Sequence, residues 1–155
     1  MHYLSKSAAM SFEDAVAATK EALKYYRLAI LAEIDLGKAL RRELAVDCRP
    51  YVILNACSPP LARRAIELDG EVGSILLCNV VVRDRGDGLV EISAVDPLAT
   101  IGTINHVEFF SVARELRSLL QQVIDAIEPF RQVFHDRPQG QQLARALPKK
   151  MPLEL

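Results

Sequence analysis

The chain has 155 residues, half of them hydrophobic, with 19 basic and 20 acidic side chains and a net charge of −1. That length holds one domain with its own core and no need of disulfides or a structural metal. Near-neutral charge leaves out the concentrated basic surface that nucleic acid or an anionic membrane requires, so neither is expected as a partner. The apolar run at residues 75–82 is interrupted by Asn79 and falls far short of the roughly 20 residues of a membrane span. The opening residues Met1-His2-Tyr3-Leu4-Ser5-Lys6 lack an apolar leader core, so the expected location is cytoplasmic. In that reducing compartment the three cysteines are free thiols, ligands or core residues rather than a disulfide framework.

Along the chain, residues 2–8 read as a weak strand. Ser11 is placed to cap a helix, with Asp14 at its third position. Phe12, Ala15, Val16, Thr19, Ala22, Leu23 and Tyr26 follow at helical spacing, the pattern of an amphipathic helix. Leu28, Ile30, Ala32 and Ile34 alternate, which predicts a half-buried strand. Asp35 then caps a short helix with apolar positions Leu36, Ala39, Leu40 and Leu44.

Residues 51–56 are the next strand, introduced by Pro50 at an edge-compatible position. Ser58-Pro59-Pro60 predicts a helix start, with Ser58 as cap and proline where the missing N–H costs nothing. That helix carries Leu61, Ala62, Ala65 and Ile66 and stops near Asp69-Gly70. Residues 75–82 predict a central strand covered on both faces over part of its length. Residues 83–88 form a glycine-bearing hairpin turn, residues 89–95 return as its partner strand, and Asp96-Pro97 ends it. A cap pattern at residues 105–108 opens the longest helix, with Phe109, Val112, Ala113, Leu116, Leu120, Val123 and Ile127 in one stripe, ended by Pro129.

Beyond that point the composition changes. Four of the eight prolines fall there, among glutamines and basic residues, and residues 128–155 read as a tail or arm, with a short helix near 141–147. The order of elements predicts an α+β fold in which one sheet carries helices on one face.

Two segments resemble a known family. Tyr51-Val-Ile-Leu-Asn-Ala-Cys57-Ser-Pro59-Pro60-Leu61-Ala62 is similar to the cysteine-x-proline motif of the domain-of-unknown-function 302 family. Gly73-Ser-Ile-Leu-Leu-Cys78-Asn79-Val80-Val81-Val82 is similar to its second motif, leucine-proline-cysteine-asparagine-valine, although Leu77 stands where proline is usual. The strand ending in Asp96-Pro97, together with Phe12, Ala15 and Glu33-Ile34-Asp35, also fits. The resemblance covers about residues 1–127, read as a single domain. It implies a curved antiparallel sheet backed by helices, similar to the TATA-binding-protein-like group, and a homodimer. It implies no DNA binding, because function belongs to sites rather than folds.

The candidate site is the pair Cys57 and Cys78, with Asn79 and Pro59 beside them. Cys57 ends a strand just before a helix N-terminus, whose partial positive charge lowers a thiol pKa when the sulfur points at it; Arg63 and Arg64 lie one turn further in. If the two strands are neighbours, both sulfurs approach each other and suit a soft metal ion, copper(I) or zinc, or thiol–disulfide exchange. The plain alternative is that both are small core hydrophobes. Cys48 matches nothing. His106 is a candidate third ligand, otherwise a solvated helix-start residue. Asn79, inside an apolar strand, requires a hydrogen-bond partner, at a bulge or in a polar pocket beside Cys78. Asp96 reads as a turn former, and Glu33 and Asp35 share one side of a strand.

No catalytic motif is present: no nucleophile elbow, phosphate-binding glycine loop or dinucleotide fingerprint. Three functions compete. They are a module binding a soft metal or small ligand near the cysteines, a thiol-dependent redox or sulfur-carrier protein using Cys57, and a structural or regulatory dimer.

Overall fold

A computed structural model describes residues 2–128. Five strands form one open antiparallel sheet in the order β1-β5-β4-β3-β2. They are β1 (Tyr3–Ala8), β2 (Ala29–Asp35), β3 (Tyr51–Cys57), β4 (Cys78–Asp84) and β5 (Val90–Val95). The helices are α1 (Phe12–Tyr25), α2 (Leu36–Leu44), α3 (Pro59–Leu68), the single turn α4 (Gly73–Leu76) and α5 (Val107–Ala126).

Side-chain alternation along the strands decides where the core sits. Leu4 of β1, Val52, Leu54 and Ala56 of β3, Val80 and Val82 of β4, and Val90, Ile92 and Ala94 of β5 are all buried in one cluster, and Ala8 of β1 is buried as well. The same cluster holds Ala15, Ala18, Ala22 and Leu23 of α1 and Phe109, Val112, Leu116, Leu120 and Val123 of α5. Helices therefore cover one face, as the element order predicts, and among the described residues the other face lies open.

Local signals act as expected at several boundaries. The Ser11 hydroxyl accepts from the Asp14 N–H at 3.1 Å, and the Asp35 carboxylate accepts from Lys38 N–H at 2.8 Å. Gly86 and Gly88 take positive φ, +81° and +80°, in the β4–β5 connection, where a side chain would be strained. Within that turn the Asp84 carboxylate accepts from Gly86 N–H and the Asp87 carboxylate from Leu89 N–H.

Five expectations are corrected. Residues 75–82 are not one strand: Gly73–Leu76 is a helical turn and β4 begins at Cys78. An unbroken apolar run carries no periodicity, so it does not separate strand from helix. β4 is the central strand but among the described residues is covered on one face only, with Asn79 exposed. β2 is an edge strand, and a register shift between Ile30 and Ala32 interrupts its alternation; Leu31 is 56 % and Ile34 45 % exposed, so it is not half-buried beyond the shift. In α2 only Gly37 is buried, so its leucines do not join the core. A Cβ at Gly37 would lie 2.8 Å from the Arg49 carbonyl oxygen, and this close approach to the start of β3 seats the helix. Pro50 introduces an interior strand, not an edge, and the hydrogen bond it makes is through its carbonyl, from Asp84 N–H at 3.0 Å.

α5 begins one residue later than a cap at Asn105 implies, with His106 as its N-cap, and Ile127 is already extended. Pro129, the tail at 129–155 and its helix near 141–147 lie outside the described residues.

Candidate functional site

Cys57 is the last residue of β3 and Cys78 the first of β4, and these strands are neighbours, as the site requires. The register, however, pairs Cys78 with Ala56 and not with Cys57. Because alternate residues point to opposite faces, Cys78 lies with Ala56 on the core side and Cys57 follows the parity of Asn55 on the open side. Packing agrees: Cys78 rests against the hydrophobic core, whereas Cys57, though only 9 % exposed, is outside that cluster. Cys57 is buried and Cys78 is half-buried.

The electrostatics oppose an activated thiol. Burial raises the Cys57 pKa, so the expected lowering by the α3 N-terminus is not what this site produces. Desolvation disfavours the charged thiolate and is the cause of the rise. Burial, with a smaller contribution from Cys57, pushes Cys78 up to about 12. Arg63 is paired with Glu67 and Arg64 with Glu115 on α5. Ser58 occupies the N-cap of α3 without a side-chain capping bond; its backbone carbonyl accepts from Ala62 N–H at 2.8 Å, and Pro59 is exposed as the first helical residue. The three cysteines are free thiols.

Asn79 also parts from Cys78. It stands opposite Asn55 in the register, and the Asn55 amide donates to its carbonyl oxygen at 2.8 Å. Its partner is thus a side chain on the open face rather than backbone at a bulge. Asn55 is a site residue that attention to cysteines passes over; its spacing of two from Cys57 was the available signal.

His106 is engaged elsewhere. Its Nδ1 accepts from Glu108 N–H at 3.2 Å at the start of α5, and its ring meets Phe109 edge-on at 5.7 Å. Among the described residues no group of three or more His, Cys, Asp or Glu side chains is arranged to hold a metal ion. Glu33 pairs with Lys20 of α1, and Asp35 serves as the α2 cap, so they form no carboxylate cluster. Asp96 does form a turn, its Oδ1 accepting from Leu98 N–H at 3.0 Å, and its other oxygen accepts from Arg117 Nε at 2.8 Å.

What the open face presents is a set of register rows. Ile34, Ile53, Val81, Ser93 and Ser5 run across all five strands. Ala32, Asn55 and Asn79 lie on one side of that row, and Tyr51, Arg83, Glu91 and Ser7 on the other, with Arg83 and Glu91 ion-paired.

The family model described as "Domain of unknown function DUF302" matches residues 4–127. The chain belongs to the DUF302 family. A solved structure described as an uncharacterized conserved DUF302 protein from Bacillus stearothermophilus has the same fold, with a TM-score of 0.74 at 22 % identity. The match covers 81 % of this chain and 97 % of that one. No curated protein matches significantly. Among the described residues of this DUF302 chain, no helix is long and apolar enough to cross a membrane.

Proposed function

We propose that this DUF302 protein is a non-catalytic binding module that works through the open face of its sheet, and that a second copy of the chain occupies that face. The supporting observation is the uncovered row Ile34–Ile53–Val81, with Val81 at the middle of the central strand. Uncovered aliphatic side chains gain roughly 25 cal/mol for each Å² removed from water. Some of the polar groups beside them are already paired, Asn55 with Asn79 and Arg83 with Glu91, which leaves fewer donors and charges for a partner to satisfy. One face carrying both an arginine and a glutamate is also self-complementary, as a two-fold interface must be.

The cysteines support this reading better than the metal or redox readings. In the register Cys78 pairs with Ala56 rather than with Cys57, and both thiols resist ionisation, whereas thiolate is the ligand and the nucleophile. Cys57 and Asn79 then belong to the rim of the binding face, and Pro59 starts the helix beside it.

Light scattering coupled to size exclusion tests the proposal. The native chain is expected to elute as a dimer and Val81→Arg as a folded monomer with an unchanged circular dichroism spectrum. A native monomer at tens of micromolar, or a Val81→Arg dimer, overturns it.

A further inference from the structure

A groove of about 340 Å³ lies far from the cysteines, between the turn after β5 and the outer side of α5. It is lined by Leu98 and by Arg114, Arg117, Ser118, Gln121 and Gln122. The volume falls at the lower end of the range for small-molecule sites, roughly 300–1,000 Å³.

Its two arginines differ. Arg117 is held through Nε by Asp96, whose side chain is only 11 % exposed and is itself fixed by the Leu98 N–H. This bond uses one of the five guanidinium N–H donors and restricts the side chain's freedom. Arg114, one turn earlier on the same side of α5, has no ion pair or hydrogen bond among the described residues. The lining itself carries two cations and no carboxylate; Asp125, beyond it, is engaged by the Gln121 amide at 2.9 Å. The Gln122 amide turns back onto Ser118.

We propose that this groove is an oxyanion site for a phosphate ester. A fixed guanidinium beside a free one suits an anion with three terminal oxygens, because each fork takes oxygens of its own. A carboxylate, with two oxygens, is satisfied by a single arginine and leaves the second unused. Leu98 supplies an apolar wall for the esterified part. The site is independent of the sheet-face interface.

The test is a titration of the full-length ¹⁵N-labelled protein with inorganic phosphate, and separately with acetate, at constant ionic strength. Saturable shifts are expected at Arg114, Arg117 and Ser118 with phosphate, and weaker binding with acetate. Arg114→Gln is the lead variant, because it breaks no hydrogen bond or ion pair among the described residues, and it is expected to weaken phosphate binding about tenfold or more. Arg117→Gln gives the second readout if its fold, checked by circular dichroism, survives exposing Asp96. Shifts that grow linearly without saturation, an unchanged affinity in Arg114→Gln, or acetate binding as tightly as phosphate each overturn the assignment.

Discussion

Asn55 and Asn79 face each other across the β3–β4 ladder, and the amide of one donates to the carbonyl oxygen of the other at 2.8 Å. This bond lies on the face of the sheet opposite the Cys78 thiol, so the two adjacent residues Cys78 and Asn79 serve different surfaces. A cross-strand pair at an accessible position contributes roughly 0.2–1 kcal/mol. Asn79→Ala is therefore expected to lower monomer stability by less than about 1 kcal/mol in urea unfolding. A loss of several kcal/mol would mean that the amide is buried.

The thiols make the chain sensitive to alkali. The folded pKa of Cys78 is raised from 9.0 to about 12, so between those values the folded state keeps a proton that the unfolded state has released. Stability from this group is complete below about pH 9 and declines as pH rises toward 12, at up to about 1.4 kcal/mol per pH unit. Urea unfolding at pH 8 and pH 10 is expected to reveal a steeper loss in the native chain than in Cys78→Ala. Parallel losses would remove Cys78 as the cause.

The two faces of one strand predict opposite mutational responses. Ile92 is fully buried on β5, and Ile92→Ala is expected to cost about 2–5 kcal/mol through lost burial and a residual cavity. Ser93, the next residue, points to the open face. Ser93→Ala is expected to change monomer stability by less than about 0.5 kcal/mol. Chemical denaturation of both variants checks the orientation of β5, and reversed magnitudes would refute it.

The Asp96–Arg117 pair ties the end of β5 to α5. Removing Arg117 leaves a nearly buried carboxylate short of a partner, whereas removing Asp96 leaves a partly exposed guanidinium that water still solvates. Asp96 also caps its own turn, so Asp96→Asn, which keeps an acceptor for Leu98 N–H, isolates the charge. Arg117→Gln is expected to cost about 1–3 kcal/mol and Asp96→Asn less. Thermal unfolding of the two variants with their double mutant measures the coupling, and simple additivity would mean that the pair contributes nothing.

In the β4–β5 turn, Gly86→Ala and Gly88→Ala both force a side chain into positive φ, a cost of roughly 1 kcal/mol. At Gly86 the new Cβ would also lie 1.5 Å from an Arg49 guanidinium nitrogen, whereas at Gly88 the space is open. Gly86→Ala is expected to be the costlier in denaturant unfolding, and Arg49→Ala to bring the two together. Equal costs without the second change would mean that Arg49 swings aside freely.

The sequence by itself determined the α+β class, the order of the main elements, the capping of α1 by Ser11 and of α2 by Asp35, the glycine turn and the family. These are local matters: hydrophobic period, caps and turn residues act over a few positions and need no knowledge of distant chain. Where the local signal was absent, as in the unbroken run 75–82, the reading failed at that point. Only the tertiary structure decided where the two cysteines stand in the strand register. Adjacent strands and similar positions made a meeting of Cys57 with Cys78 reasonable, but the β3–β4 register sets Cys78 beside Ala56. A register offset of one residue sends a side chain to the other face of a sheet, and nothing local in either motif specifies that offset. The same offset brought Asn55 to Asn79 and left the row through Val81 uncovered.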